Sequence, residues 1–276
     1  MSNNILVIET DSNVKETGTQ MTASLIQAGH FHAATSQPLR NVLIYAPTII
    51  WVAQGEKRLW WHEETLNYTE SDWLVTPASH YLTFVNEPTQ LPFHSRTLTF
   101  LVPPPSDWVI ESEQQKDNSP MRIKVTPTLA FCFETLFEMA NSDLTKEAQK
   151  QFLYGFYAEL KQAGALHKLF PHQPTEIKEK LAQYLNVNPG HDHKVETVAE
   201  HFFMSRATLN RKLAAENTTF RQVLTNVRMV YALGLMQQSR SQLSVALSCG
   251  YQSETRFANR FKQTFGITPK EYVRTL

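Results

Sequence analysis

The 276-residue chain is poor in cysteine and has no long hydrophobic run. Its two cysteines, Cys132 and Cys249, are too few for a disulfide framework and predict free thiols in a reducing compartment. No apolar run reaches the roughly 18 residues that a membrane-spanning helix needs. The start of the sequence also lacks the basic segment and long apolar core of a signal peptide. We therefore expect a cytoplasmic protein with no membrane partner.

The chain has no net charge either, with 26 Lys and Arg against 26 Asp and Glu. This balance conceals two halves of opposite sign. Residues 171–276 contain 14 Lys and Arg and 8 Asp and Glu, a net charge of +6, and residues 1–170 carry −6. A basic half suits a polyanion such as nucleic acid, because neutralised phosphates supply most of the sequence-independent affinity.

The basic half contains one helix-turn-helix pattern twice. The two copies span about residues 195–215 and 243–263. In each copy a small residue, Ala199 or Ala246, stands where two helices would approach closely. A serine follows six or seven residues later, Ser205 or Ser253, where its hydroxyl can cap the next helix. Two such units in one chain predict binding to two successive major-groove segments of double-stranded DNA.

The second helix of each unit would direct polar side chains outward. Apolar residues four and eight positions after each serine form one stripe at helical spacing, which leaves the positions between them on the surface. Arg and Asn side chains there can pair with the edges of guanine and adenine. The outward set is Arg206, Asn210, Arg211, Lys212, Glu254, Thr255, Asn259 and Arg260. The alternative is a pair of helical hairpins with solvated charged faces, which the matched register of the copies disfavours.

A long helix is predicted between the two units. Apolar residues recur at helical spacing across Thr219–Ser239. Twenty helical residues span roughly 30 Å, close to the ~34 Å rise of one DNA turn. A rigid helix of this length would hold both units on one face of the duplex. Gly234 within it costs about 1 kcal/mol relative to Ala, unless close packing requires it.

The segment from about Pro174 to Leu276 resembles the DNA-binding domain of the AraC/XylS transcription regulators. Within that family, the stretch Ser205–Met229 is most similar to acid-resistance and virulence regulators of enteric bacteria. The resemblance rests on Ala199, Ser205, Leu209, Arg211, Leu213, Arg228, Met229, Ala232, Gly250, Tyr251, Ser253, Phe257, Phe261, Lys262, Phe265, Gly266, Thr268, Pro269 and Tyr272. It implies a transcription regulator at the nucleoid that has no enzymatic activity. An activator in contact with RNA polymerase is the expectation, and the sequence leaves repression open as the alternative.

The resemblance also assigns base-reading positions in the second helix of each unit. They are Ala207, Asn210 and Arg211 in the first unit and Glu254, Thr255 and Asn259 in the second. Ser205, Ser253 and Arg256 complete the predicted DNA-contact set. The chain departs from the family pattern at Arg256, where an aromatic residue is common, and at Asn217, where glycine is usual. Asn tolerates the left-handed conformation better than most residues, so the turn at Asn217 can form.

The acidic half has the pattern of a β-rich domain. Short apolar runs alternate with turn residues and predict strands at Val42–Tyr45, Ile49–Ala53, Arg58–Trp61, Trp73–Thr76, Tyr81–Val85 and Thr97–Val102. This half is similar to the cupin-like sensory domains that precede such DNA-binding domains, on Pro47, Ile49, Ile50, Trp51, Gly55, Lys57, Tyr68, Trp73 and Pro77. The resemblance implies a jelly-roll barrel with a pocket for a small effector.

The expected fold is therefore α+β in two domains. Residues 1–170 would form a sensory and dimerisation domain, with a barrel over about 20–125 and flanking helices over about 127–169. Residues 171–276 would form the all-α DNA-binding domain. Pro171–Pro174 would be the hinge between them, since proline disfavours helix at the residue before it.

If the barrel holds a ligand, a few polar groups must orient it against an apolar wall. The candidates are Arg40, Trp51, Arg58, Trp61, His80 and Tyr81. Arginine would suit a carboxylate. The alternative, that the apolar residues are plain core without a cavity, stays open at this stage.

A metal site is not predicted. His30-Phe-His32 has the spacing of a cupin metal site, but the expected Glu does not follow. A metal needs three or four converging ligands with supporting contacts. We therefore predict no metal and no cofactor. The open alternative is a cupin-type metal enzyme or ligand-binding protein whose helical tail serves protein contacts.

The residues after the barrel are predicted to be helical, over Thr128–Leu169. An aromatic stripe there most often packs on its own domain. The family resemblance, however, implies that a helix pair beside the barrel forms a homodimer interface. The candidate interface residues are Phe152, Phe156 and Leu160.

Overall fold

The computed structural model describes residues 24–114, 121–171 and 176–276. The signal-peptide prediction and all of the predicted hinge except Pro171 lie outside these residues. No helix in the described part is long and apolar enough to cross a membrane.

The N-terminal half contains two antiparallel β-sheets. The strands are β1 Ile26–Ala33, β2 Gln37–Ile44, β3 Thr48–Gln54, β4 Glu56–Trp61, β5 Glu64–Tyr68, β6 Asp72–Thr76, β7 His80–Glu87, β8 Phe93–Phe100 and β9 Arg122–Lys124. One sheet has the order β1-β8-β3-β6-β9 and the other the order β2-β7-β4-β5. The pairs β1–β8, β2–β7, β3–β6 and β4–β5 are those of one long hairpin folded over on itself, which is the jelly-roll arrangement. The predicted jelly-roll is confirmed.

All six predicted strands are present, as parts of β2, β3, β4, β6, β7 and β8. The three that the sequence did not predict, β1, β5 and β9, lie at sheet edges. Their sequences are polar or short, so their local β propensity is weak. The β1 strand forms because it pairs with β8 over eight consecutive residues.

Four helices follow or interrupt the strands. They are α1 Ser106–Glu113, α2 Pro127–Met139, α3 Lys146–Gln162 and α4 Leu166–Leu169. The α2–α3 pair covers the outer face of the five-stranded sheet, where Trp73, Phe133 and Phe156 pack together in the core. Arg96 on β8 makes two hydrogen bonds of 2.5 Å to the Glu134 carboxylate on α2 and fixes this helix on the sheet.

The C-terminal part is all α-helical, as predicted. Its helices are α5 Ile177–Asn186, α6 Val195–His201, α7 Arg206–Ala215, α8 Phe220–Gln237, α9 Gln242–Ser248, α10 Glu254–Phe265 and α11 Pro269–Arg274. The first helix-turn-helix unit is α6–α7 and the second is α9–α10, with α8 between them. The expected α+β fold is confirmed.

The buried hydrophobic residues are distributed differently around the two units. One cluster is continuous from the barrel interior into the second unit, through Leu39, Ile50, Phe84, Met229, Leu233, Phe257 and Phe261. The first unit has a separate cluster, formed with α5 and part of α8, which contains Leu181, Leu185, Val198, Leu209 and Leu213. Leu43 and Tyr45 of the barrel also contact the cluster of the first unit. The barrel and the second helix-turn-helix unit therefore share a hydrophobic core.

Candidate DNA interface and ligand cavity

The second helix of each unit begins as the sequence predicts. The Ser205 hydroxyl accepts a hydrogen bond of 3.2 Å from the Thr208 amide, and the Ser253 hydroxyl accepts one of 3.3 Å from the Arg256 amide. Each bond satisfies an amide that the helix itself cannot pair. Ala199 and Ala246 are buried. These caps fix the start of both candidate recognition helices, α7 and α10.

The outer face of α7 is polar and open to solvent. Leu209 and Leu213 are fully buried, and the positions between them are exposed. The exposed predicted contacts are Ser205, Arg206, Ala207, Asn210, Arg211 and Lys212. Arg206 is held 2.7 Å from the Glu196 carboxylate of α6, a surface pair worth about 0–1 kcal/mol, so phosphate can displace it. Asn217 after the helix has a φ of 55°, in the left-handed region expected of it.

The outer face of α10 is only partly open. Phe257, Phe261 and Phe265 form its buried stripe. Glu254, Thr255, Arg256 and Asn259 are exposed, whereas Ser253 and Arg260 are half-buried. Arg260 lines a cleft of about 830 Å³ between the barrel and the C-terminal domain, which Tyr81 and Asn226 also line. The end of this helix therefore faces the barrel.

The spacer helix α8 contains 18 residues, which corresponds to about 27 Å. Its Arg228 holds the loop before α6, donating hydrogen bonds of 2.9 Å to the carbonyls of Pro189 and His191. The same guanidinium lies against Gly250 in the turn of the second unit, where an added Cβ would stand 2.7 Å from Nη2. Arg228 thus fixes the second unit relative to the start of the first.

The barrel and the C-terminal domain are joined by specific hydrogen bonds. The Gln237 side chain of α8 accepts from the His32 amide at 3.1 Å and donates to the His32 carbonyl at 3.3 Å. Next to it, the amides of Ala34 and Thr35 donate to the Thr275 carbonyl, at 2.6 and 3.3 Å. The β1–β2 turn is therefore docked onto the end of α11.

A cavity of about 110 Å³ lies inside the barrel where it meets α8. Both sheets line it, with Phe31, Leu39, Ile50 and Phe84 among the apolar residues. Val230 and Leu233 of α8 close it from the C-terminal domain. A ligand in this cavity would contact both domains at once.

One buried cation faces this cavity. Lys57 on β4 is only 3% exposed, and its Nζ lies 3.5 Å from the centroid of the Phe84 ring. The ammonium donates a hydrogen bond to the Asn86 side chain on the neighbouring strand. Among the residues that the structure describes, no carboxylate pairs with it. Burial lowers the pKa of Lys57 to about 7, because an unpaired ammonium is costly away from water.

The six predicted effector contacts, Arg40, Trp51, Arg58, Trp61, His80 and Tyr81, do not line this cavity. Trp51 faces the helix layer, where its ring packs on Trp73 and Phe133. Arg58 follows Lys57 along β4 and so points to the opposite face of the sheet. Trp61 and His80 stack on each other with ring centroids 5.8 Å apart, away from the cavity lining.

The remaining two predicted effector contacts belong to the interface between the domains. The Tyr81 hydroxyl accepts a hydrogen bond of 2.8 Å from Asn226 of α8. Arg40 lies along the end of α10, where an added Cβ on Gly266 would meet its Cδ at 3.3 Å. Both residues therefore contact the C-terminal domain.

The residues that do line the polar side of the cavity, Lys57, Asn86 and Gln37, were missed. The alternation of inward and outward residues along each strand could have identified them. Lys57 is two positions before Leu59, Asn86 two after Phe84 and Gln37 two before Leu39, so each polar residue shares the inward face of its strand with a core residue. A lysine at an inward strand position was the strongest of the three signals.

The candidate metal ligands do not converge. The His30 ring packs against Phe137 of α2, with centroids 4.7 Å apart, and therefore faces the helix layer. Within residues 24–114, 121–171 and 176–276, no three His, Cys, Asp or Glu side chains are placed to hold a metal ion.

Two of the three predicted dimer contacts are not on the surface. Phe156 and Leu160 are buried in the core between α3 and the five-stranded sheet, where Phe156 packs on Trp73 and Phe100. They are unavailable to a second copy of the chain, and this part of the prediction is wrong. Phe152, one helical turn before Phe156 at the edge of the buried face of α3, is 48% exposed.

Comparison with known proteins identifies the C-terminal segment. A family model described as a helix-turn-helix domain matches residues 198–275. The transcriptional regulator YdeO of Escherichia coli is 33% identical over 94 residues, and the regulator AdiY of the same species is 34% identical over 98 residues. The matches cover 34% and 35% of this chain but only 37% and 39% of those relatives.

The comparison of structures extends over nearly the whole molecule. ToxT of Vibrio cholerae, in a crystal structure with a bound unsaturated fatty acid, aligns with a TM-score of 0.57 over 93% of this chain and 98% of its own. The sequence identity is 15%, so this likeness shows the fold alone.

The capped units, the spacer helix and the sequence matches together define a class. The C-terminal segment is a helix-turn-helix domain, which confirms the repeated units predicted from its residues, and its matches support the resemblance to AraC-type domains. The relatives matched through this domain are bacterial transcription regulators. The N-terminal jelly-roll and the helical domain are combined in the same fold as in ToxT.

Proposed function

We propose that this protein is a sequence-specific DNA-binding transcription regulator. The observation that supports this most directly is the pair of serine-capped units, α6–α7 and α9–α10, joined by α8. The 18 residues of α8 correspond to about 27 Å, which is comparable with the ~34 Å rise of one DNA turn. Arg211 and Asn210 of α7, with Asn259 of α10, are the proposed base-reading side chains. Arg206 and Lys212 would contact phosphates. The protein acts on double-stranded DNA and is not an enzyme.

Selection of binding sites from random duplex DNA with the full-length protein tests this proposal. At fixed near-physiological salt, we expect a motif with two elements about 10 base pairs apart, since each recognition helix occupies one major-groove segment. Equal, salt-sensitive binding to all sequences, with and without a ligand, would contradict sequence-specific recognition.

We also propose that the cavity binds a monocarboxylate with an apolar body. Lys57 supplies a buried positive charge that pairs with no carboxylate in the described part of the chain, and much of the surrounding wall is apolar. Supplying that carboxylate would offset the cost of burying the ammonium. The fatty acid bound to ToxT has the same chemical character.

The size of the cavity restricts the ligand. Its volume of about 110 Å³ is below the ~300–1,000 Å³ of a typical small-molecule site. With α8 packed against the barrel, a short or medium acyl chain therefore fits the cavity better than a long one. A long acyl chain would require α8 to move away from the barrel.

Titration calorimetry with butanoate, octanoate and hexadecenoate tests the effector proposal. We expect octanoate to bind most tightly to the docked protein. Lys57→Met should weaken binding by at least tenfold, because it removes the charge that pairs with the carboxylate. The matched control is Arg58→Met on the outward face of the same strand, which should bind normally. Equal binding to the Lys57→Met variant would refute the proposed site.

A homodimer is the proposed active assembly. Phe152 and the 71% exposed Phe131 of α2 are its candidate contacts. Sedimentation of Phe152→Asp at the same concentration as the native chain should then show a shift towards monomer. An unchanged dimer would exclude this face.

We infer a division of labour along the chain. Residues 1–170 would sense the effector and dimerise, and residues 171–276 would bind DNA. The protein would act at the nucleoid in the cytoplasm, as an activator that contacts RNA polymerase. Transcription in vitro from a promoter that carries the selected motif tests this last step. A decrease in transcript on addition of the protein would show that it is a repressor.

A further inference from the structure

A row of buried polar side chains runs across the four-stranded sheet. Gln37 on β2, Asn86 on β7 and Lys57 on β4 are direct cross-strand neighbours, and each is at most 3% exposed. The Lys57 ammonium donates to Asn86 Oδ1, and Asn86 Nδ2 donates to Gln37 Oε1 at 2.9 Å. Buried polar groups normally need such partners, so these three side chains are mutually dependent.

The row does not end inside the barrel. Gln37 Nε2 donates to Thr275 Oγ1 at 2.7 Å, and the Thr275 hydroxyl donates to the Tyr272 carbonyl at 2.6 Å. All four bonds run in one direction, from the ammonium to the backbone of α11. Bonds aligned in this way polarise one another, so a change of charge at Lys57 changes each bond after it.

Thr275 is also where the β1–β2 turn is docked. Its carbonyl accepts from the amides of Ala34 and Thr35, only two or three residues before Gln37. The same short segment of α11 therefore receives both the buried row and the turn. Tyr272, one helical turn earlier, packs its ring on Phe261 of the recognition helix α10.

A carboxylate on Lys57 would strengthen this connection. An ammonium has three donors, and the structure gives Lys57 one side-chain hydrogen bond, to Asn86. A ligand can thus accept from a second donor without displacing Asn86. The bound anion keeps the lysine charged, and hydrogen bonds from a charged donor are about twice as strong as neutral ones.

We propose that Lys57, Asn86, Gln37 and Thr275 form a relay that transmits anion binding in the cavity to the docking of the second helix-turn-helix unit. Asn86 and Gln37 are positioning residues in this relay. An anionic ligand tightens the contact between the β1–β2 turn and α11. The effect of a ligand on this relay rests on the proposed carboxylate effector, whereas the hydrogen bonds of the relay are present in the ligand-free protein.

Amide hydrogen exchange at Ala34 and Thr35 reports this contact in the full-length protein. Octanoate should slow exchange there about fivefold or more, the lower range of allosteric coupling. Octan-1-ol fills the same apolar space without charge, so it should protect these amides less. Equal protection by octanoate and octan-1-ol would show that the ligand only fills the interface, and would overturn the relay.

Thr275→Val tests the far end of the relay without altering the cavity lining. Its carbonyl remains, so the turn can still dock, but Gln37 loses its acceptor. We expect the difference between octanoate and octan-1-ol to disappear. The matched control, Asn226→Ala, removes the separate interdomain bond to Tyr81 and should keep that difference. Persistence of the difference in Thr275→Val would contradict the proposal.

A ligand-free variant separates this proposal from the effector proposal. Lys57→Met should speed exchange at Ala34 and Thr35 in the absence of any ligand, because the first donor of the relay is gone. If calorimetry shows no octanoate binding, the effector proposal fails. The exchange rates of ligand-free Lys57→Met then decide by themselves whether the relay proposal holds. Unchanged exchange in Lys57→Met would reject it.

Discussion

The two helix-turn-helix units share a pattern but differ in what surrounds them. The first unit packs in its own hydrophobic cluster, and the outer face of α7 is open. The second unit shares a continuous core with the barrel cavity, and the end of α10 lies against Arg40. A repeated motif therefore does not imply repeated roles. The second unit shares buried residues with the barrel, whereas the first unit packs mainly with α5 and α8.

The turns of the two units sharpen this contrast. Four residues after the buried alanine, the second unit has Gly250 with a φ of 75°, and the first has Phe203 with a φ of 55°. Phe203 is 98% exposed, so packing does not explain the bulky residue in a left-handed conformation. Gly250 is enclosed by Arg228 and the Gly190 carbonyl.

The largest predicted effect is at these turns. Gly250→Ala should lower the free energy of unfolding by about 3 kcal/mol, because the new Cβ would lie 2.7 Å from the Gly190 carbonyl in a left-handed conformation. The matched change Phe203→Gly should raise it by about 0.5–1 kcal/mol. Chemical denaturation measures both. Similar losses in the two variants would mean that the turns are equivalent.

The shared core predicts a pH dependence of stability. Lys57 has a pKa of about 7 when folded and 10.5 as its ordinary value. Below pH 7 the lysine is charged in both the folded and the unfolded chain, so the folded chain bears the full free-energy cost of burying the ammonium. Between pH 7 and 10.5 the unfolded chain binds the extra proton, so stability rises with pH by about 1.4 kcal/mol per unit. Denaturation at pH 7 and 9 should show this rise in the native chain and not in Lys57→Met.

The open face of α7 predicts a strong effect on recognition. Arg211→Ala should weaken binding to the selected site by about 1–3 kcal/mol, the usual size of a bidentate base contact. Binding to random DNA should change little. Fluorescence anisotropy at fixed salt measures both affinities. An equal loss on the two DNAs would assign Arg211 to a phosphate, and Asn259→Ala provides the same comparison for the second unit.

The smallest predicted effect lies in the spacer between the units. A Cβ at Gly234 would meet nothing within 4 Å, so close packing does not require the glycine. Gly234→Ala should stabilise the chain by about 1 kcal/mol in thermal unfolding, with unchanged spacing in the selected DNA motif. A destabilised variant would show that bending of α8 is part of the native state.

Features that depend on residues close together in sequence were easier to predict than features that depend on distant residues. Helix caps at Ser205 and Ser253, and the buried stripes after them, depend on residues within two helical turns, so they could be predicted. The central strands could also be predicted, since their residues alternate at short range. The edge strand β1 could not, because its stability comes from β8, about 65 residues away in sequence.

The ligand site was harder to predict for the same reason. Choosing arginines and aromatics by type selected Arg40 and Tyr81, which the fold places between the domains. The inward position of Lys57 was encoded in strand alternation, but its partner Asn86 is set by the pairing of β4 with β7. Phe156 and Leu160 were similarly assigned to a surface that the sheet covers.

The sequence by itself determined the two helix-turn-helix units, the helix between them and a strand-rich domain before them, because periodicity, capping and turn chemistry act over a few residues. Only the tertiary structure decided that the barrel interior opens onto α8 and that Lys57 connects through Gln37 to Thr275. The bond between Gln37 and Thr275 joins residues 238 positions apart. Their geometry depends on how two separately encoded domains pack, and no local pattern in the chain specifies that packing.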